Sequence, residues 1–273
     1  MRQKAVKTII ILTCVLFVAI MLIMPLFTVI TYAFRQGFKV FFSAIADEYA
    51  VKALKLTLLT TVFTVTVNTV FGLFASWSVT KFQFRGKRIL TTLIDIPFAI
   101  SPVIAGLIFI LVFGRIGWAY PLLKAYDVRI VFAAPGIILA SIFVTLPFVS
   151  RELTTLMQSQ GSDEEEAAAL FGAKGLTIFR KVTLPHIKWG LLYGVILCSA
   201  RALGEFGAVS VVSGHLRGKT NTLPLHVEIL FNEFHLTAAF AVSSTLVAIA
   251  LVILVLRNLA EYRLKKEENA DVR

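Results

Sequence analysis

The sequence predicts an all-α integral membrane protein with six transmembrane helices, and three observations predict it. Hydrophobic residues fill 58% of the 273 positions and mean hydropathy is +0.83, while charged residues make up only 16%, well below the roughly 25% usual in soluble domains. Six stretches (8–34, 56–80, 89–114, 130–150, 189–214 and 236–256) are apolar for long enough to cross roughly 30 Å of hydrocarbon, which takes about 20 helical residues. The basic residues fall in short clusters between these runs, the pattern of loops facing an anionic leaflet. So few charges could not clothe a water-soluble body of this hydrophobicity, which excludes an ordinary cytosolic enzyme. The net charge of +11 therefore implies lipid rather than nucleic acid as its partner.

The first run, 8–34, is too long for the apolar region of a cleaved signal peptide, which spans roughly 7 to 15 residues, and is expected to stay in the membrane. Residues 40–55 are amphipathic and either lie along the outer interface or extend the second span. With the N-terminus placed inside, cytoplasmic segments carry seventeen Lys and Arg and outer connections nine. The positive-inside rule then puts both termini in the cytoplasm. The charged tail after Leu256 is expected to fray. Cys14 and Cys198 both lie in apolar runs, where cysteine acts as a small hydrophobe, so redox chemistry is not expected.

Ionisable groups inside spans are functional candidates by default, and there are three: Asp95, Arg201 and Glu205. Arg201 and Glu205, four apart, share a face on a helix and can neutralise one another; they are either a structural pair or part of the pathway or gate. Asp95, close to Pro97 and Pro102, either satisfies backbone donors freed by a broken helix or stands near the cytoplasmic entrance. Gly190 and Gly194 have the spacing that permits close helix crossing. The connection after the fifth run offers Ser213, Arg217, Lys219 and Thr220 as candidates to receive an anion, or simply as a solvated basic loop. Within it, Gly214 to Thr220 imitates a phosphate loop but has three residues between its glycines instead of four and no preceding strand. Any ATP must be hydrolysed elsewhere. The four histidines show no metal-ligand spacing, so no metal site is expected.

The longest cytoplasmic connection, 151–188, looks like a separate working part. Ser162 followed by Glu165 has capping-box spacing, acids crowd the next positions, and three alanines follow, so a helix is expected to start at Ser162 and stop at Gly172. A second short helix is expected from about Gly175 until Thr183, Leu184 and Pro185 break it.

These residues carry a resemblance. Glu166-Ala167-Ala168, three residues, Gly172, nine residues, Val182, one residue and Leu184-Pro185 resemble the EAA signature of ABC importer permeases, with Val where Ile is commoner. The resemblance implies a type I importer transmembrane domain forming half of a translocation pathway. It also implies that Glu165, Glu166 and the motif residues form a coupling helix seated on a separate ATPase, which would hold ATP and Mg. Residues 95–107 and 201–225 resemble the oxyanion branch of that family. AVSVVSG, LRGKT and LPLHVEIL look closer to the W-type subunit of sulfate/thiosulfate importers than to molybdate or tungstate permeases. That likeness implies a second, T-type permease subunit, an ATPase dimer and an external sulfate-binding protein. An ATP-independent channel or secondary carrier is the competitor from another class.

Overall fold

The computed structural model describes residues 2–271. Arg273, at the end of the charged tail, lies outside the described residues, as do the side chains of Arg2, Lys4, Arg263, Lys265 and Lys266. The first apolar run is one rod: α1 (Arg2–Val18), a π turn (Ala19–Ile23) and α2 (Met24–Ala33). The π turn has a local cause. Pro25 cannot donate a backbone bond, and just before it Met24 N–H donates to Ala19 O, five residues back, so that one turn widens ahead of the proline.

Short α3 (Phe38–Ile45) and long α4 (Glu48–Lys81) divide the amphipathic 40–55 stretch between them. Asp47 caps α4, its carboxylate accepting from Tyr49 N–H at 2.9 Å and Ala50 N–H at 3.4 Å, with Glu48 in the first turn. The third run is not one straight span: α5 (Lys87–Ala99) and α6 (Pro102–Phe113) meet at 110°. Pro102 forces the preceding Ser101 out of the helical region (ψ 135°), and Ile100 is extended beside it (ψ 132°). After α7 (Tyr120–Ala125), α8 (Ala134–Gln160) overruns the expected 130–150 by ten residues.

Then come α9 (Asp163–Leu170), α10 (Gly175–Ile178), a second π turn (Phe179–Thr183) and α11 (Leu184–Leu203). The expected break at Thr183, Leu184 and Pro185 does not occur. Leu184 N–H donates to Phe179 O, again five residues back, and Pro185 falls where its missing donor is not needed, so the hairpin runs into the next span. The expected 189–214 run is likewise not one helix: α11 ends at Leu203 and α12 (Gly207–Ser213) starts after a gap of three residues. Last come α13 (Leu223–Asn232) and α14 (Leu236–Asp271). Among the described residues, five helical stretches are long and apolar enough to cross a membrane, six if the bent α5–α6 pair counts as one.

The bundle is built around α4, α8 and α11. The buried positions of α4 (Ala53, Thr57, Thr64, Asn68, Gly72, Ser76, Val79) recur at helical spacing and are small or polar. Small faces are what membrane helices use to approach, because lipid supplies no hydrophobic drive between them. Asn68 Nδ2 donates to Thr145 Oγ1 at 2.8 Å and Ile142 O at 3.2 Å, and Ser76 Oγ donates to Ser150 O at 2.8 Å. These pairs, rising together in number, show that α4 and α8 run parallel, so the broken α5–α6 segment must return the chain. At Gly72 a side chain would meet Val149 at 2.8 Å. Gly190 and Gly194 both face α8, against Leu156 and against Val149 and Glu152. The opposite face of α4 (Leu58, Val62, Phe63, Val70, Phe74) is exposed and apolar, as a lipid-facing surface should be.

Candidate functional site

Most of the predicted residues gather in two places, at opposite ends of α11, with Asp95 apart from both. At the first, α8 hands over to α9 through Gly161, and Ser162 precedes a first turn of Asp163, Glu164, Glu165 and Glu166. The capping box is not formed. Ser162 Oγ instead donates to Glu166 Oε1 at 2.5 Å, and Glu165 is drawn away. Glu165 Oε2 lies 2.5 Å from Lys81 Nζ, at the end of α4, and Glu165 Oε1 accepts from Thr183 Oγ1 at 2.9 Å. Lys81 also donates to Gly161 O. Both ends of this ion pair are largely buried, so one carboxylate ties α4, the α8–α9 link and the π turn together. His186 Nδ1 lies 2.9 Å from Glu164 Oε2 in the same corner, and Phe179 packs on Trp77.

Gly172 ends α9 as expected, with φ +82°, a conformation that costs glycine no Cβ strain. Ala173 N–H and Gly172 N–H donate to Ala168 O and Ala169 O, at 3.1 and 2.9 Å. At this tip Leu170 and Phe171 are 90% and 93% exposed, with Leu176 exposed beside them. Glu166 and Ala167 are exposed too, whereas Ala168, Val182 and Leu184 are half-buried and Pro185 is exposed. The sequence alone assigns no site role to Lys81, Thr183, Leu170 or Phe171. For the last two a signal existed: two large apolar residues just before a helix-stopping glycine, in a charged segment.

At the other end of α11, Arg201 and Glu205 do pair, Nη1 to Oε2 at 2.5 Å, but not on one helix face. Glu205 stands in the gap after α11, 1% exposed in its side chain, and its Oε1 accepts from Ala208 N–H at 2.9 Å in the first turn of α12. Gly106 and Gly207 bring α6 and α12 together: a side chain at Gly106 would meet Ala208 O at 2.6 Å, and one at Gly207 would meet Pro102 at 2.9 Å. The two broken helices therefore brace one another. Asp95 caps no broken backbone. It lies 3.3 Å from Arg151 Nε, between α5 and α8, and Arg151 covers the Phe98 ring at 4.9 Å.

The loop candidates separate. Ser213 and Thr220 are buried and accept from His215 N–H and Leu216 N–H, so their hydroxyl oxygens hold the loop's own backbone. Arg217 is ion-paired with Glu233, which keeps the guanidinium pKa above its ordinary value and the carboxylate below its own. Lys219 is exposed.

A family model described as "Binding-protein-dependent transport system inner membrane component" matches residues 68–266. The "Sulfate transport system permease protein CysW" of Synechococcus elongatus is 48% identical over 248 residues, covering 91% of this chain and 87% of that one. The protein of the same description from Escherichia coli K12 is 45% identical over 250 residues, covering 92% and 86%. The "Sulfate transport system permease protein CysT" of Salmonella typhimurium is 34% identical over 242 residues, covering 89% and 87%. Among solved structures, a bacterial alginate ABC transporter in complex with an alginate-bound periplasmic protein superposes with a TM-score of 0.81 at 18% identity, covering 97% of this chain and 96% of that one. That likeness concerns fold alone.

Fold and match define the class: this is the permease component of an ABC importer, a multi-pass inner-membrane subunit whose ATP is hydrolysed on a separate subunit. Within that class the chain belongs to the CysW-type sulfate transport permeases.

Proposed function

We propose that this chain forms one half of the pathway of a sulfate and thiosulfate importer and takes its drive from a cytoplasmic ATPase through the 161–186 hairpin. The other half is a T-type permease, the engine is an ATPase dimer holding ATP and Mg, and an external sulfate-binding protein delivers the anion; both termini face the cytoplasm. The observation that carries the reading is the hairpin tip. Leu170 and Phe171 stand almost wholly exposed on a hairpin braced by a largely buried ion pair. An exposed apolar pair costs the free chain the benefit of burial, about 1.5–3 kcal/mol for each large side chain, and a groove on a partner would recover it.

The parts divide the work. Glu166 offers charge beside the tip, Ala167 and Ala168 let a partner backbone approach, and Gly172 makes the turn. Glu165 fixes the hairpin to α4, while Val182, Leu184 and Pro185 make the joint to α11. A helix of 20 residues is about 30 Å long, so a displacement of the hairpin arrives at the far end of α11 as a displacement of the Arg201–Glu205 gap. ATP binding closes the ATPase pair and carries the hairpin with it, turning the bundle from inward-open to outward-open; hydrolysis resets it. Arg201, Glu205 and Asp95 are the polar groups able to respond along the way, with Arg217 and Lys219 at the outer rim.

Radiolabelled uptake by proteoliposomes holding the whole complex tests this. Uptake of sulfate that requires internal ATP, and that thiosulfate competes more strongly than molybdate, is the expected result. Uptake driven by an imposed gradient without ATP, or competition by molybdate alone, contradicts it.

A further inference from the structure

The loop between α6 and α8 holds a feature that the transport reading leaves unused. At the end of the molecule opposite the hairpin, a cavity of about 700 Å³ opens to the surface. Its apolar wall includes Ile110, Phe113, Leu123, Ile130 and Leu216, and two arginines, Arg115 and Arg129, line the same space. They enter from the two sides of α7, Arg115 before it and Arg129 after it. Among the described residues neither guanidinium makes an ion pair or hydrogen bond. Beside the cavity, Ile116, Trp118, Leu122 and Tyr126 are exposed, Trp118 by 81%. Exposed aromatic and aliphatic side chains interleaved with Arg and Lys are the composition of a segment lying at a membrane-water boundary, where an indole and a phenol have both an apolar body and a polar tip to place.

We propose that this cavity binds one anionic phospholipid, its phosphate between Arg115 and Arg129 and its acyl chain along the apolar wall. Charge complementarity selects this occupant. Two cations without counter-ions ask for a diffuse anion, the wall beneath them asks for a hydrocarbon chain, and a single molecule with both is a lipid of negative headgroup. Free sulfate would satisfy the arginines but leave the wall in water. The lipid would anchor the α6–α8 connection and so hold the far end of α6, whose near end packs on α12 at the Arg201–Glu205 gap.

The test is native mass spectrometry of the assembled transporter in detergent with phosphatidylglycerol or phosphatidylcholine. Wild type should retain phosphatidylglycerol preferentially. Each of Arg115→Gln and Arg129→Gln should weaken that retention about fivefold, the change equivalent to roughly 1 kcal/mol per basic residue at a membrane surface, while Arg115→Lys with Arg129→Lys should keep most of it. Arg35→Gln, which removes a cation stacked on Tyr32 elsewhere on the same end, should not change it. In vesicles, brominated phosphatidylglycerol should quench Trp118, read as the quenching lost in Trp118→Phe. Equal retention by wild type and the double glutamine variant overturns the proposal. So does displacement of the lipid by millimolar sulfate, which would make the cavity a free-oxyanion site, and so does absence of Trp118 quenching, which would mean that protein covers this face.

Discussion

Lys81 and Glu165, 84 residues apart in the chain, form an ion pair of 2.5 Å that joins the end of α4 to the first turn of α9. Removing one partner of a largely buried pair leaves the other charge short of compensation, and the fully buried limit is 3–5 kcal/mol. With both groups still touching solvent, Lys81→Met should cost about 2 kcal/mol. The predicted signature is uncoupling: the assembled complex should hydrolyse ATP yet import sulfate several-fold more slowly. The exchange Lys81→Glu with Glu165→Lys should recover part of the loss. Wild-type uptake by Lys81→Met, measured per complex, would remove the brace from the account.

At the far end of α11, Glu205 holds Arg201 with one carboxylate oxygen and the Ala208 N–H with the other. Glu205→Gln keeps the hydrogen bond to the backbone and loses the charge; Glu205→Ala loses both and strands Arg201. Uptake should therefore fall in the order wild type, Gln, Ala, with the alanine variant also less stable by about 2–4 kcal/mol. Thermal unfolding in detergent and uptake rates together check the order. Equal stability of the two variants would deny the carboxylate its double role.

The contact between α4 and α8 makes a prediction about stability alone. Asn68→Leu deletes the bonds to Thr145 and Ile142 and should cost about 0.6–1.7 kcal/mol, the range for hydrogen bonds between membrane helices. Gly72→Leu puts bulk where even a Cβ would meet Val149 at 2.8 Å and should cost more, about 1–3 kcal/mol or beyond. Unfolding in mixed micelles should rank the leucine at 72 as the worse of the two.

His226, buried on α13 close to Asp47, Arg217 and Glu233, has its pKa held below the ordinary 6.5, mainly because burial disfavours the imidazolium. The unfolded chain then binds the proton more readily than the folded one. Stability from this group is complete above about pH 6.5 and declines as the pH falls through that value toward the lower folded pKa. His226→Gln cannot be protonated there, so the difference in melting temperature between pH 7.5 and pH 5 should be smaller for it than for wild type. An unchanged difference would assign the acid sensitivity to other groups.

The helices were legible because hydropathy marks a span whatever it packs against. The breaks were not, although their causes are in the sequence. Ser101-Pro102 is a bend signal, but both sides of the bend are apolar and an averaged run hides it. At Pro185 the reverse holds: proline ordinarily ends a helix, but here a π turn over 179–183 leads into it where its missing donor is not needed, and Phe179 of that turn packs against Trp77. Ser162 and Glu165 have the right spacing for a capping box, yet Lys81 and Thr183 outbid Ser162 for the carboxylate, and no local rule sees partners that distant. The four-residue spacing of Arg201 and Glu205 points to their pairing, but the helix that would align them stops at Leu203, and the gap after it brings them together. Leu170 and Phe171 went unread because alanines and acids dominate that segment's composition, whereas exposure is a property of the fold.

On the proposed function, the tip at Leu170 and Phe171 seats on an ATPase and moves with it. Phe171→Cys, placed in the assembled complex with Cys14 and Cys198 replaced by serine and alanine, measures it through cross-linking to cysteines introduced around the ATPase surface groove. The expected result is a cross-link to the ATPase whose yield changes between the ATP-bound and nucleotide-free states. Modification of that cysteine by a membrane-impermeant reagent added outside intact cells, with no cross-link to the ATPase in either state, would contradict it.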